Sequence, residues 1–351
     1  MKRTLLATGF VAVAILGATA AQGRTGKTLD IYFIDVEGGQ STLLVTPAGQ
    51  SLLVDTGYAG FNGRDSGRIV TVAHEAGVTQ LDYLLMTHFH RDHAGGVVDV
   101  ARQIPIRTFL DHGDLERTSA ARTEEQFPGT LAVYNAYVAV RAKGRHLEPK
   151  PGDRLPLKGL DVTFVSAAAA TIVRPLPGAG QANATCGGDA PPPDDALENP
   201  RSTGFYLRYG AFRFLDIGDL SGSPLFALVC PNNLIGLVDL YLVPHHGGAD
   251  ASYPATLWAL RPRVAIVNNG AIKGGSPEVF ANLRRAPGLE DAWQLHTSKN
   301  DGADNFADSQ VANLDETTGH WIKVSAQEGG AFTVTNGRTG VTKAFAARPK
   351  S

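Results

Sequence analysis

The strongest constraint on this chain is a run of metal-ligand residues that follows an apolar strand. Residues 81–87 are mostly apolar, which predicts a strand buried on both faces. Directly after it come His88, His90, Asp92 and His93. Imidazole nitrogens and carboxylate oxygens are ligands that Zn²⁺ accepts, and residues two apart in an extended loop point to the same side. We therefore expect His88 and His90 to reach one metal ion, and the residues past the bend to reach a second; a solvated histidine-rich loop is the alternative.

The N-terminus has the pattern of a secretory signal peptide. Lys2 and Arg3 precede an apolar run over residues 5–16, and small residues follow at 18–20. A membrane anchor is the alternative, but a span needs about 20 apolar residues and this run is shorter. We predict that residues 1–20 are removed, that no membrane span remains after cleavage, and that the protein is secreted or periplasmic.

The chain contains two cysteines, Cys186 and Cys230. In an oxidising compartment two such cysteines more often pair than stay free, which predicts a disulfide that pins a loop to the body of the protein. Two unrelated thiols are the alternative. Neither cysteine has a partner at metal-ligand spacing, so a cysteine-ligated metal is not expected.

The order of predicted elements favours an α+β fold, a four-layer αββα sandwich. Strands come in two batches, and each batch is followed by alternating helices and strands, as expected for a sheet-on-sheet core with helices outside. The predicted strands are 29–36, 41–46, 51–55, 81–87, 107–110, 203–209, 212–217, 238–243, 264–267, 293–296, 321–324 and 332–335, and the predicted helices are 68–76, 96–102, 130–142, 252–260 and 276–285. We expect a single domain over residues 29–340, with a Pro/Gly-rich loop insertion at 166–200 and a tail after residue 341.

The charge balance argues against a nucleic-acid-binding scaffold. There are 32 basic and 34 acidic side chains, for a formal net charge of −2. We expect a small-molecule or ester substrate and no stable nucleic-acid binding, although Arg91, Arg201 and Lys273 are candidates for a local basic groove. The oligomeric state stays open.

The motifs, taken together, resemble those of the metallo-β-lactamase-fold hydrolase superfamily. The pattern is especially similar to the metallo-hydrolase domain of the bacterial competence DNA-uptake channel protein, and the similarity spans residues 29 to about 270. The motifs that carry it are Leu84-Leu85-Met86-Thr87-His88-Phe89-His90-Arg91-Asp92-His93-Ala94-Gly95-Gly96, Ile34-Asp35-Val36, Leu53-Val54-Asp55-Thr56-Gly57, Asp216-Ile217-Gly218-Asp219 and Val243-Pro244-His245-His246-Gly247.

The resemblance implies a dinuclear metal site on one edge of the sandwich. His88 and His90 would bind the first metal, and Asp92, His93 and a later histidine the second. Asp219 matches the carboxylate that bridges the two metals.

Two further positions follow from the same alignment. Aligned on Val243-Pro244, the later histidine falls on His246, and His245 would then donate to a ligand or touch substrate. Asp55 resembles the buried aspartate that orients metal ligands, and a turn aspartate is the other interpretation.

One departure from the superfamily pattern affects the first metal. The third histidine that usually precedes the bridging carboxylate is missing, and this region reads Glu198-Asn199-Pro200-Arg201-Ser202-Thr203. The first metal would then be completed by Asn199, by water, or by His112 or His146 from elsewhere, and function with a single metal stays open.

The chemistry implied is hydrolysis by a zinc-bound hydroxide, because zinc brings the pKa of bound water near 7. Asp92 would orient the attacking water or take its proton, and either a metal-bound water or His245 would protonate the leaving group. We expect a phosphoester or phosphodiester hydrolase. The alternatives are a β-lactam or lactone hydrolase and a non-catalytic metal- or ligand-binding module.

Overall fold

The protein is described here from a computed structural model that covers residues 28–115, 124–187, 198–250 and 253–349. The predicted signal peptide over residues 1–20 lies outside the described residues. So does the part of the predicted insertion that runs from 188 to 197.

The strands form two mixed sheets. In chain order they are β1 Leu29–Phe33, β2 Thr42–Val45, β3 Ser51–Val54, β4 Leu81–Leu85, β5 Ile106–Leu110, β6 Arg145–Leu147, β7 Arg154–Leu155, β8 Asp161–Ala167, β9 Ala170–Thr171, β10 Gly204–Tyr209, β11 Phe212–Asp216, β12 Leu240–Leu242, β13 Val264–Val267, β14 Asp291–His296, β15 Val311–Asn313, β16 Ile322–Ala326, β17 Phe332–Asn336 and β18 Thr342–Phe345. The first sheet has the order β18-β17-β16-β1-β2-β3-β4-β5-β6, and the second has the order β15-β14-β13-β12-β11-β10-β8-β7, with β9 paired to β8.

Helices cover the outer faces of both sheets. They are α1 Arg64–Glu75, α2 Arg91–Ala94, α3 Val97–Gln103, α4 Thr130–Arg141, α5 Gly222–Ala227, α6 Pro254–Leu260 and α7 Pro277–Arg285, with short 3-10 turns at Phe61–Gly63, Asn199–Arg201, His245–Gly247 and Asp308–Gln310. The predicted cap of α7 is confirmed, since the Ser276 side chain accepts a hydrogen bond from the Val279 N–H.

Alternation along the strands builds three apolar layers. In β1, Leu29, Ile31 and Phe33 pack between the sheets, and Tyr32 faces the layer that α1, α3 and α4 complete. In the second sheet, Leu207 packs inward in the same way, and the opposite face packs against α5, α6 and α7. Successive side chains of a strand point to opposite faces, so strands covered on both sides become almost continuously apolar. The predicted αββα sandwich is therefore confirmed.

Most predicted elements are present with shifted ends, and the C-terminal prediction is wrong. The stretch after Val341, interpreted as a tail, forms β18 and pairs with β17, so the first sheet runs past the predicted limit at 340. The residues of β18 are exposed except Phe345, which stacks on Phe332, and so the strand has little apolar pattern. The predicted disulfide is confirmed, with 5.7 Å between the Cα atoms of Cys186 and Cys230.

Both sheets direct parallel strands to the same end of the sandwich. β3, β4 and β5 are parallel in the first sheet, as are β11, β12, β13 and β14 in the second. Loops after the carboxyl ends of parallel strands form the usual ligand crevice of such sheets. Within the described ranges, no helix is both long and apolar enough to cross a membrane.

Candidate metal centre

The residues singled out from the sequence lie at this end of the two sheets. After β4, His88 and His90 lie on a loop and Asp92 and His93 lie on α2. The loop after β11 carries Asp219, and the 3-10 turn after β12 carries His246. The backbone of the first loop is packed tightly, since a Cβ added at Gly39 would lie 2.3 Å from the carbonyl oxygen of Asp92. Glycine at that position therefore lets the chain between β1 and β2 support the metal-ligand turn.

Four side chains converge on one point, and we call them the four-ligand cluster: Asp92, His93, Asp219 and His246. His93 Nε2 lies 3.0 Å from Asp219 Oδ2, 3.2 Å from Asp92 Oδ2 and 3.2 Å from His246 Nε2. His246 Nε2 lies 3.1 Å from Asp92 Oδ2 and 3.2 Å from Asp219 Oδ2. Four donors around a tetrahedral zinc ion lie about 3.4 Å from one another, so this donor set fits such an ion.

The other oxygen of Asp219 supports a second position beside the first. Asp219 Oδ1 is buried and has no hydrogen-bond partner among the described residues. A buried carboxylate oxygen without a partner is costly unless a proton, water or cation satisfies it. The carboxylate predicted to bridge two metals thus has one oxygen in the four-ligand cluster and one available for another ion.

His88 and His90 form the side of the site predicted for the first metal. His88 Nε2 lies 3.0 Å from His90 Nδ1 and 3.8 Å from Asp219 Oδ2. Burial lowers the pKa of His88 well below its usual value and that of His90 to about 4. Both rings are therefore neutral at physiological pH, which is the form that binds a metal.

Asp55 lies beneath the site and orients His93. Its Oδ2 is 2.7 Å from His93 Nδ1, and it accepts hydrogen bonds from the backbone N–H and the hydroxyl of Thr87. A partner on Nδ1 leaves Nε2 aimed at the four-ligand cluster. Asp55 has φ +58°, a left-handed conformation that aspartate tolerates better than most residues.

His245 lies beside the cluster and has its own carboxylate partner. Its Nδ1 is 2.8 Å from Asp250 Oδ1, and its Nε2 is 3.8 Å from Asp219 Oδ2 and 3.4 Å from Asn199 Nδ2. Burial alone would lower the pKa of His245, but Asp219 and Asp250 raise it to about 9. His245 thus carries a proton near neutral pH, close to the candidate ligands.

Two histidines proposed as substitutes for the missing third ligand have other partners. His112 Nε2 lies 2.9 Å from Glu198 Oε2, which also accepts the Phe89 N–H, so this pair supports the turn between His88 and His90 from below. His146 Nε2 lies 2.9 Å from Asp111 Oδ2. Asn199 does lie at the site, through its contact with His245.

The comparisons with known proteins agree with this architecture. Residues 35–189 match the family model of the metallo-beta-lactamase superfamily. The two packed sheets and the outer helices of this chain match the layered arrangement of that family. The fold is the metallo-β-lactamase fold. No curated protein matches the sequence.

Solved structures of low identity also match the chain. A variant of CmlA beta-hydroxylase matches at 14% identity and a TM-score of 0.46, over 76% of this chain and 52% of that chain, so the present chain spans about half of it. Igni18, a metallo hydrolase from the archaeon Ignicoccus hospitalis, matches at 13% identity and a TM-score of 0.42, over 78% and 97%. MEM-A1, a subclass B3 metallo-beta-lactamase from a soil metagenome library, matches at 14% identity and a TM-score of 0.37, over 69% and 77%. The similarity to the competence protein stays a prediction.

Electrostatics at this end of the metallo-β-lactamase fold favour a bound cation. Burial alone would raise the pKa of Asp219, but His246, His93 and His245 hold it well below its usual range. Burial alone would lower the pKa of His93, but Asp219, Asp92 and Asp55 raise it well above its usual value. The carboxylates therefore stay ionised. In the absence of a metal they face the protonated ring of His93, and Lys273 adds a second positive charge at Asp92.

Asp92 is better suited to binding a cation than to accepting a proton. Burial alone would raise its pKa, but Lys273 and His93 hold it well below the usual range. A carboxylate with a strongly lowered pKa is a weak base. The lowered pKa therefore favours the predicted ligand role of Asp92 and argues against its taking a proton from the attacking water.

Several residues of the site were missed by sequence reasoning. Glu198 and Asp250 orient site residues, and Tyr58 and Lys273 lie at its rim; Lys273 had been noted only for its charge. Their positions depend on loops that meet only in the folded chain. Asp250, four residues after His246, is the one that a search for carboxylates near a candidate ligand could have found.

Asp216 lies three residues before Asp219 in the sequence. It accepts hydrogen bonds from Gln40 Nε2 and the Gly218 N–H, and burial raises its pKa to about 7.

Proposed function

We propose that this protein is a metal-dependent hydrolase of phosphoester or phosphodiester bonds that uses two zinc ions. The observation that carries the proposal is the convergence of Asp92, His93, Asp219 and His246, with His88 and His90 alongside. When bound, zinc makes water acidic enough to supply hydroxide near neutral pH and stabilises negative charge on the attacked group. The missing third histidine argues against efficient β-lactam cleavage, since it leaves the first metal with fewer protein ligands.

The side chains have distinct parts in this proposal. His88 and His90 would hold the first metal, the four-ligand cluster would hold the second, and Asp219 would serve both. Asp55 keeps His93 in the orientation that a ligand needs. His245 is the candidate proton donor for the leaving group, because Asp250 holds its ring in place and, despite burial, Asp219 and Asp250 raise its pKa in the metal-free protein.

The proposed setting is the periplasm or the exterior of the cell. The signal-like pattern of residues 1–20 and the disulfide between Cys186 and Cys230 support it, because disulfides persist in oxidising compartments.

A substrate panel tests the proposal. Purified protein is loaded with zinc and assayed with bis-para-nitrophenyl phosphate, a chromogenic cephalosporin and a simple lactone, each with and without a chelator. We expect chelator-sensitive cleavage of the phosphodiester above the other two. Preference for the cephalosporin or lactone would favour the second class of hydrolase. Cleavage of none of them by a zinc-loaded protein would favour a binding module, and cleavage that survives complete zinc removal would contradict the metal mechanism.

A further inference from the structure

Lys273 brings a positive charge to the rim of the candidate metal centre. Its Nζ contacts Asp92 Oδ2, an oxygen of the four-ligand cluster, and lies 3.4 Å from the Tyr58 hydroxyl. The Lys273 side chain is 38% exposed, whereas that of Asp92 is 9% exposed. The ammonium group therefore lies between the buried donor atoms and solvent, where a substrate would enter.

The loop that carries Lys273 is fixed against the ligand His246. The Gly275 N–H donates to the carbonyl oxygen of His246 at 2.9 Å, and a Cβ added at Gly274 would lie 2.0 Å from that same oxygen. The Gly270 N–H donates to the carbonyl of Lys273 at 2.9 Å, which closes the loop on itself. Lys273 is therefore held at a defined distance from the candidate ligands.

The ring of Tyr58 supports the ammonium group from the other side. Lys273 Nζ lies 5.6 Å from the centroid of that ring, within range of a cation–π contact. Burial and the nearby Asp92 raise the pKa of Tyr58, so its hydroxyl stays protonated and is able to donate a hydrogen bond.

The charge balance indicates what the ammonium group would meet in the loaded protein. The positive charge of two divalent ions exceeds the negative charge of Asp92 and Asp219. The charge of Lys273 is then not needed to neutralise these two carboxylates. An ammonium group has three donors, and only some of them are directed at Asp92 and Tyr58. Asp92 and Tyr58 take up two of these donors, which leaves one for a substrate oxygen.

We infer that Lys273, supported by Tyr58, is the residue that binds an anionic oxygen of the substrate beside the metal centre. This rests on the proposed function and narrows it: the preferred substrate carries a negative charge next to the bond that is cut, as a phosphodiester does. A neutral ester has no charged oxygen for this contact.

The test measures binding of inorganic phosphate to the zinc-loaded protein by calorimetry, without turnover. We expect Lys273→Met to weaken phosphate binding by about tenfold to a hundredfold, the loss typical of a charge-assisted hydrogen bond, while Lys273→Arg stays within about threefold of the unsubstituted protein. We expect a smaller loss for Tyr58→Phe. Zinc content and melting temperature are measured on each variant, and removal of a cation near Asp92 is not expected to reduce zinc content.

Lys299→Met is the matched control, because it removes the same charge from the loop that follows β14. Lys299 pairs with Glu316 at 2.9 Å and is exposed, so we expect phosphate affinity to stay unchanged. Unweakened phosphate binding by zinc-loaded Lys273→Met, an equal loss in the Lys299 control, or loss of zinc on substitution of Lys273 would each overturn the inference.

A second measurement separates this inference from the proposed function. With bis-para-nitrophenyl phosphate and the neutral ester para-nitrophenyl acetate, we expect Lys273→Met to raise KM for the first only. If the unsubstituted protein cleaves no phosphodiester, the proposed function fails, while the calorimetry still decides the role of Lys273. If cleavage is normal and Lys273→Met binds phosphate normally, the inference fails alone.

Discussion

The end of the sandwich that carries the site holds two clusters of histidine and carboxylate, which have opposite characters. The first is the four-ligand cluster. The second is formed by Asp35, Glu37 and His296, whose ligand atoms also lie within 4.8 Å of one another. Residue types and mutual distances alone would make both of them metal sites.

The difference is the cation that the chain itself supplies. In the second cluster, Arg68 Nη1 lies 2.5 Å from Asp35 Oδ2 and 3.1 Å from Glu37 Oε1, so we call this the arginine-filled cluster. His296 Nε2 adds a contact of 2.7 Å to the other oxygen of Asp35. The four-ligand cluster has Lys273 on one carboxylate only, and Asp219 keeps an oxygen without a partner among the described residues. A cluster filled by a permanent side-chain charge stabilises the fold, whereas one left open is able to bind an ion.

The largest expected effect separates the two clusters by metal content. Asp219→Ala removes a carboxylate shared by both proposed metal positions, so we expect loss of zinc and a fall in phosphodiester hydrolysis of about a thousandfold or more, which corresponds to several kcal/mol of barrier. Metal analysis and the rate with bis-para-nitrophenyl phosphate measure it.

His296→Ala is the matched control in the arginine-filled cluster. It also removes a buried ligand-type residue, but we expect zinc content to be unchanged and the rate to stay within a few-fold. Zinc loss in the His296 variant, or full zinc content in the Asp219 variant, would contradict the assignment of the two clusters.

A second prediction concerns stability. Arg68→Met leaves buried carboxylates without their cation, and breaking a buried pair typically costs about 3–5 kcal/mol. We expect the free energy of unfolding in urea to fall by that order. Arg102→Met breaks the exposed pair with Asp99 and is expected to change stability by less than about 0.5 kcal/mol. Equal stability of these two variants would show that the arginine-filled cluster does not stabilise the fold.

The same contrast shows what could be predicted from the sequence. The layers of the fold were predictable because each strand alternates between two apolar environments. The run of candidate ligands from His88 to His93 was recognisable because four ligand-type residues lie within six positions of the chain. The strand β18 was not predictable, because its residues are mostly exposed and so lack the apolar alternation that marks a strand. Its pairing with β17 leaves no pattern in the local sequence.

Contacts between distant loops account for what the sequence could not predict. Arg68 meets Asp35 across 33 positions, and Lys273 meets Asp92 across 181. Neither pair has a local pattern. In the sequence, His296 is only a polar residue at the end of a predicted strand, and nothing in the pattern indicates that an arginine occupies its cluster. Only contacts formed in the folded chain therefore decide which cluster is filled by a side-chain cation and which is left able to bind a metal ion.

The smallest predicted effect is a pH dependence of zinc affinity that distinguishes the four-ligand cluster from the arginine-filled cluster. Because Asp219, Asp92 and Asp55 raise the pKa of His93, outweighing its burial, the metal-free protein holds a proton on this ring at neutral pH. A metal ion in the four-ligand cluster must displace that proton, so we expect the zinc affinity of this position to rise about tenfold per pH unit through neutrality, with about one proton released by this ion. The other candidate ligands add little to this slope, because His88 and His90 are already neutral and Asp92 and Asp219 are already ionised.

Chelator-competition titrations from pH 6 to 8, corrected for the chelator, measure that slope, and an affinity independent of pH would contradict it. The Asp55→Asn variant removes one of the charges that raise the pKa of His93, so its slope is expected to flatten at a lower pH. In the arginine-filled cluster, the guanidinium keeps its charge at every pH in this range and has no proton to yield. The positive charge on His93 is exchangeable and the one on Arg68 is not, and for this reason we expect the four-ligand cluster, and not the arginine-filled cluster, to take up a metal ion.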